Sequence, residues 1–399
     1  MTSSKRGELL PFQAVIAVSG ASIAGIVAML GELRGELGFT EGQIGITVAF
    51  GFLGSFLSQI SLSRFADQGH ARIMATVGVA VGGLGMIALA VFESFIAWSV
   101  LRAVIGFAGG MTTPGLRRAA SVLDPENAGE NLGRLVAGEM SGWMLGPLVA
   151  ALLALQWGFR APFLVFGVAM LLFVPLVLRL PPDRGSIDTS RRKTSFDLLR
   201  TRRLQGALLL VVGYFGFIGA WESVVPVMFT DRGGSPLTTG FTFTLLGIPM
   251  ILFAVRAGRT ADRYGPPRIA IAALFAIALT TMTYGLLPGL WPLVLVMGLA
   301  GVFDAFGFTA NHVAVSRSVP EGRQAAALGL MGATQVLAAG ITAYPAALLF
   351  ERTGERTTWI VVGLGMIAMI GLAAQRFAGT EPVAEAPPRR LLKRRGVPG

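Results

Sequence analysis

No cysteine occurs in the 399 residues, which excludes disulfides and thiolate metal sites and leaves the redox compartment undecided. Only two histidines, His70 and His312, are present as imidazole candidates. Charge is scarce as well: 14% of residues are charged against 53% hydrophobic, with a mean hydropathy of +0.66. A soluble chain of this size rarely has such a balance. There is no Walker-type phosphate loop, which argues against ATP as an energy source, and neither a nucleophile elbow nor a metal-ligand spacing occurs. The chain is therefore expected to be no enzyme and to need no metal or cofactor.

What is abundant is glycine, 53 residues of it, as expected where helices pack closely inside a membrane. Twelve apolar stretches of spanning length follow one another. Six precede the basic stretch around Arg191: Phe12 to Leu30, Ile44 to Leu62, Ile73 to Phe92, Phe95 to Pro114, Leu135 to Leu155 and Phe163 to Leu180. Six follow it: Gly206 to Phe229, Phe241 to Ala257, Ile269 to Leu287, Trp291 to Val313, Ala325 to Phe350 and Trp359 to Phe377. Only Glu93-Ser94 and Pro288 to Leu290 precede the fourth and tenth runs, so those pairs are expected to be hairpins. The first run is longer than a signal-peptide core and lacks a cleavage site of small residues, so it reads as a span.

The net charge of +11 is explained by topology rather than by nucleic acid. With the N-terminus inside, cytoplasmic segments carry 27 of the 33 basic residues, and the outer loops carry five, Arg34, Arg160, Arg232, Arg352 and Arg356. The positive-inside rule then puts both termini in the cytoplasm. A multi-pass protein of the cell (inner) membrane is expected, divided into a first bundle (1–180), a basic linker (181–204), a second bundle (205–378) and a disordered tail (379–399). A short amphipathic helix around Phe196 to Leu204 is expected to lie on anionic lipid.

One short polar stretch is repeated. Gly258 to Arg268, GRTADRYGPPR, cannot lie in hydrocarbon and reads as a tight loop between two spans. Ser63 to Arg72, SRFADQGHAR, is a weaker copy, its Asp67 lying 195 residues before Asp262. Two six-helix halves, a central linker and this repeated loop resemble the major facilitator superfamily over essentially the whole chain. Gly258, Arg259, Asp262, Arg263, Gly265 and Arg268 fit that family's G-x-x-x-D-R-x-G-x-x-R loop. In the first copy Ser63 replaces the glycine, Gln68 the basic residue, and the later glycine is shifted to Gly69. The resemblance implies two all-helical, pseudo-symmetric bundles that rock about a midplane cavity.

Four ionisable residues lie within the spans, where a charge costs on the order of 3 kcal/mol and needs a partner or a function. Arg102 opens RAVIGFAGG, similar to the family's fourth-helix R-x-x-x-G pattern, in which the arginine faces the cavity and takes part in proton-coupled exchange; a snorkelling or simply paired arginine is the alternative. Glu139 adjoins Gly138, Gly142 and Gly146, which share one helix face ahead of Pro147. That pattern resembles the antiporter signature G-x-x-x-G-x-x-x-G-P, although Glu139 is also close enough to the cytoplasmic end to be solvated or paired there. Glu222 follows Trp221 in almost uninterrupted apolar sequence, with Tyr214, Phe215 and Phe217 nearby, a setting suited to an organic cation or a proton carrier. Asp304 lies mid-span with Asn311 two turns on along the same face and His312 beyond it.

Acids on the fifth, seventh and tenth spans are similar in distribution to those of proton-driven drug exporters of the superfamily. The expected activity is proton-coupled export of a small cationic or amphiphilic molecule, powered by the proton gradient. The expected partners are that molecule, protons and membrane lipids, and the expected state is a monomer. Two other readings stay open: a proton symporter or exchanger for an anionic metabolite clamped by Arg102, and a facilitator-fold sensor that does not transport.

Overall fold

The computed structural model describes residues 3–123, 128–180, 195–320 and 323–379, with backbone alone at 3–9, 63, 64, 66, 67, 121–123, 128, 129, 195 and 196. Every regular element among the described residues is a helix. In chain order the long ones are α1 (Ser3–Met29), α2 (Glu41–Phe65), α3 (Ala71–Val91), α4 (Phe95–Leu123), α5 (Ala128–Trp157), α6 (Ala161–Val177), α7 (Arg202–Asp231), α8 (Pro236–Tyr264), α9 (Pro266–Thr283) and α10 (Leu290–Ser316). A further helical run, Gln324–Phe377, is 54 residues long but breaks at Gly354, where φ is 77° and ψ −178°. We treat its limbs as α11 (324–353) and α12 (355–377).

Ten of the described helices, with that run counted once, are long and apolar enough to cross a membrane. The 17-residue α6 is a shorter apolar helix. With that run taken as two limbs and α6 included, the described residues form twelve long apolar helices, with turns alternating between two faces. The face that holds the 180–202 connection is called here the linker face, and the other the far face. Both expected hairpins are present: Phe92 is extended after α3, and Gly289 turns with φ 77° before α10.

The first six and last six helices repeat one packing scheme. In the first half α1 packs on α5, α2 on α4 and α3 on α6; in the second α7 packs on α11, α8 on α10 and α9 on α12. Missing side chains make these contacts possible. A Cβ on Gly142 would stand 2.0 Å from the Ala17 carbonyl, and one on Gly146 2.5 Å from Ala21, so the stripe of α5 presses directly on α1. At the equivalent place in the second half, a Cβ on Gly219 would meet the Ala339 carbonyl at 2.1 Å. The halves touch through α2 with α11 and α5 with α8.

Gly258 to Arg268 is not the loop that its polarity suggests. α8 continues as helix through Tyr264, α9 starts at Pro266, and only Gly265 (φ 93°, ψ 123°) is non-helical between them. A helix satisfies its own backbone in water as well as in lipid, so polarity marks the membrane boundary without ending the helix. The first copy turns in the same way at Gly69 (φ 91°) inside a five-residue π turn, Ala66–His70. Its glycine sits one residue earlier than in the second copy, and the wider turn absorbs the difference.

The stretch around Phe196 to Leu204 also departs from expectation. It is a 3-10 turn at Ser195–Arg200, an extended Thr201 and then the start of α7. Leu198 is buried among Leu204, Ala207, Val211, Val315 and Val319, so its apolar side faces the second half rather than lipid. The remainder of the linker (181–194) and the tail (380–399) lie outside the described residues.

Candidate functional site

Between the halves lies a cavity of about 2450 Å³. Its walls run from Glu222, Trp221 and Phe243 down to Gln68, Arg117, Leu199 and Arg323 at the linker face, so the cavity opens there. At the far face the halves are held together. Arg34, in the helical turn Leu33–Leu37, bonds both Asp231 at the end of α7 and Glu41 (2.7 Å). The Gly42 amide donates to Glu351 of α11 at 2.8 Å. Gly31 faces the Pro226 carbonyl, which a Cβ would approach to 2.5 Å, and Gly45 faces Ala347 in the same manner. Thr244 of α8 donates to the Met144 carbonyl of α5 at 3.0 Å. The structure is thus sealed at one face and open at the other.

Glu222 and Asp304 both line this cavity. Glu222 is 6% exposed, and among the described residues no side chain hydrogen-bonds to its carboxylate. Its neighbour Trp221 stands edge-on to Phe243, with ring centroids 4.8 Å apart.

Arg102 itself does not line the cavity, contrary to the cavity-facing position that the family pattern implies. It is 4% exposed, its Nε has no hydrogen-bond partner among the described residues, and it lies against Gly51 of α2. A Cβ on Gly51 would stand 3.0 Å from Nη2 of Arg102, so the missing side chain is what seats the guanidinium.

Asp304 has a different shell. Tyr214 and Tyr284 act on its carboxyl, and Phe308, one turn along α10, lies 6.4 Å from the Tyr214 ring. Its Oδ1 is buried and accepts no hydrogen bond among the described residues. Tyr214 therefore belongs to Asp304 rather than to Glu222, beside which its sequence position suggested it. Eight residues of helix rise about 12 Å, more than adjacency in sequence conveys. Asn311 does not join the site: it is 2% exposed, does not line the cavity, and its Oδ1 has no partner among the described residues.

Nearer the open face, Glu139 is bound to Arg117 at 2.7 Å, so its charge is met within the first half. His312 lines the cavity and engages the Phe308 carbonyl through Nδ1 at 2.9 Å. Arg323 is held by Asp197, at 2.8 Å for one of its two bonds. Gln59 and Gln335 add neutral polarity. Of the repeated turns, Asp262 pairs with Arg317 at the end of α10, 2.8 Å away and within its own half. Arg259, Arg263 and Arg268 are exposed at the same face, Gly258 has open space around it, and the side chain of Asp67 lies outside those described.

The far-face contacts of Arg34 and Glu351 were not singled out in the sequence, where both look like ordinary outer-loop charges. Their one visible signal is that Arg34 is among the few basic residues on the sparsely charged side.

The sequence matches the Major Facilitator Superfamily over residues 14–230 and again over 207–397. It is 27% identical over 304 residues to the multidrug resistance protein MdtG of Escherichia fergusonii, covering 72% of this chain and 74% of that protein. To the MdtG of Salmonella typhimurium it is 25% identical over 306 residues, with 72% and 74% covered. Among solved structures, a bacterial homologue of the human lysosomal transporter Spinster, inward-facing and unoccupied, superimposes with a TM-score of 0.79 at 14% identity, over 94% of this chain and 98% of that one. The nucleoside transporter NupG gives 0.75 at 14% identity, over 94% and 100%. The chain is a multi-pass membrane transporter of small molecules, not an enzyme, and it belongs to the major facilitator superfamily.

Proposed function

We propose that this protein is a proton-coupled exporter of small cationic or amphiphilic molecules, working by alternating access in the cell (inner) membrane. The linker face is the cytoplasmic one, as the distribution of basic residues requires. Two bundles, residues 1–180 and 205–378, rock about the cavity as a monomer, and the proton gradient supplies the energy. The observation that carries this reading is one large cavity, open at a single face, with Glu222 and Asp304 on its aromatic wall. A carboxylate in such surroundings accepts either a proton or an organic cation, and competition between the two is what exchange needs. The similarity to multidrug resistance proteins supports the same reading. Because Arg102 stands behind Gly51 rather than in the cavity wall, the geometry favours cations over a carboxylate clamped by that arginine.

In reconstituted vesicles, Glu222→Gln is expected to fold and insert normally but to lose substrate-induced proton release. Unchanged coupling in that variant would sink the assignment.

A further inference from the structure

We propose that α8 carries a binding site for an acidic glycerophospholipid, held at the linker face by Arg256, Arg259 and Arg263, and that this lipid is a resident of the protein rather than its cargo.

The three arginines prolong an apolar stripe. Ile248, Leu252, Arg256, Arg259 and Arg263 follow one another at steps of four, four, three and four, so their side chains leave α8 within an arc of about 80°. All five are exposed, Ile248 at 44% and Leu252 at 63%. In a spanning helix, exposed isoleucine and leucine face acyl chains, and the turns beyond them at the membrane boundary face headgroups. The helix rises about 10 Å from Arg256 to Arg263, so the guanidiniums form a row through that layer. Gly247, Met250 and Ala254 of the same helix line the cavity, and they project about 140° or more from the centre of the stripe. What binds the arginines is therefore outside the transport path.

Nothing among the described residues neutralises this row: none of its three guanidiniums has an ion pair or a hydrogen bond there. The neighbouring carboxylate, Asp262, is taken by Arg317 at 2.8 Å. Arg256 lies over the Phe253 ring, 5.7 Å from its centroid, and Arg263 over Tyr264 at 5.2 Å. A guanidinium on a ring face keeps its N–H groups available to an oxyanion. Phe253 rests in turn on Phe306 of α10, with centroids 6.2 Å apart. Like charges three and four residues apart repel one another on a helix, and a phosphate that accepts from two of them reverses that cost.

Membrane topology alone does not require such a row. The first half has the same apolar stripe, with Leu57 54% exposed 195 residues before Leu252. Yet Ser61 and Gln68 stand where the second half has Arg256 and Arg263. Keeping positive charge inside is satisfied by arginines anywhere on that face; here they are gathered on one side of one helix, directly below exposed aliphatic side chains. A phosphate with acyl chains complements both parts of the stripe, and a free phosphate only one. Every group belongs to α8 and to α10 packed against it, so the site stays whole when the halves rock.

The test titrates delipidated full-length protein in detergent with dioleoyl phosphatidylglycerol or dioleoyl phosphatidylcholine, and native mass spectrometry counts the retained lipid. Wild type is expected to bind phosphatidylglycerol in preference. Arg259→Gln should weaken that binding about fivefold, and Arg256→Gln, Arg259→Gln and Arg263→Gln together on the order of a hundredfold. Replacing the same three by Lys keeps the charge and should hold binding within about tenfold of wild type, which shows that the loss is not misfolding. Arg179→Gln, at an exposed arginine on the linker face of the first half, should change the tight binding by less than about twofold. Equal retention of the two lipids by wild type overturns the site, and so does unchanged affinity in the triple Gln variant. Equal effects at Arg179 and Arg259 mean diffuse surface charge, and displacement of the lipid by inorganic phosphate means a free-anion site; either result also refutes the proposal. None of these outcomes measures transport, so the export reading stands or falls separately.

Discussion

Breaking the far-face clasp should open the cavity to the outside by a calculable amount. Arg34 bridges Asp231 across the halves, with side chains 38% and 31% exposed. A pair this wet contributes about 0.2–1 kcal/mol, so Asp231→Asn should raise the outward-open population by about 1.4-fold to fivefold. The Gly42 amide bond to Glu351, at 2.8 Å and part-buried, is a hydrogen bond to a charged group and contributes about 1.5–3 kcal/mol. Glu351→Ala should therefore shift the population more than about tenfold. Arg34 also bonds Glu41, the neighbour of Gly42, so the two contacts belong to one network and the double variant should depart from the sum of the single effects. Because the chain has no cysteine, a single Ile218→Cys reporter on the cavity wall works without background, and labelling by a membrane-impermeant maleimide from the outside measures the open fraction. The Asp231→Asn effect should shrink at high salt, and the Glu351→Ala effect should change less. If Asp231→Asn exceeds Glu351→Ala, or if neither raises labelling, the assignment of these contacts as the closing clasp is wrong.

Gly142→Ala places a methyl 2.0 Å from the Ala17 carbonyl, so α1 and α5 must separate, at a cost of about 1–3 kcal/mol. Gly371, on α12 with open space around it, should instead tolerate alanine with no loss, and thermal unfolding in detergent compares the two. Asp262→Asn should change accessibility at the cytoplasmic side more than Asp67→Asn, because Asp262 ties the end of α8 to Arg317 and the first copy has lost its basic neighbour; equal or reversed effects count against this. The hydrogen bonds from Arg323 hold the Asp197 carboxyl below its usual range. That contact is therefore complete above the ordinary carboxylate pKa and is lost only as pH falls through the lowered value. Exchange protection of residues 195–200 should persist at neutral pH, fade only in acid, and be absent at all pH in Asp197→Asn.

The sequence alone determined the twelve apolar helices, their arrangement as two similar sets of six and the identity of the acids embedded in them. Hydropathy and the sparing placement of charge are local properties, and lipid admits only helices or closed barrels across it, so those readings need no knowledge of neighbours. The same locality misled where polarity was taken for a loop at Gly258 to Arg268, since a helix runs into water without breaking. Only the tertiary structure decided which charges meet. It put Glu139 on Arg117, Asp197 on Arg323, Arg34 on Asp231, and Arg102 behind Gly51. It also gave Tyr214 to Asp304 and left Asn311 outside the site. These pairings depend on the rotation of each helix and on partners up to 197 residues away. A helix that is apolar all round carries no stripe to reveal that rotation.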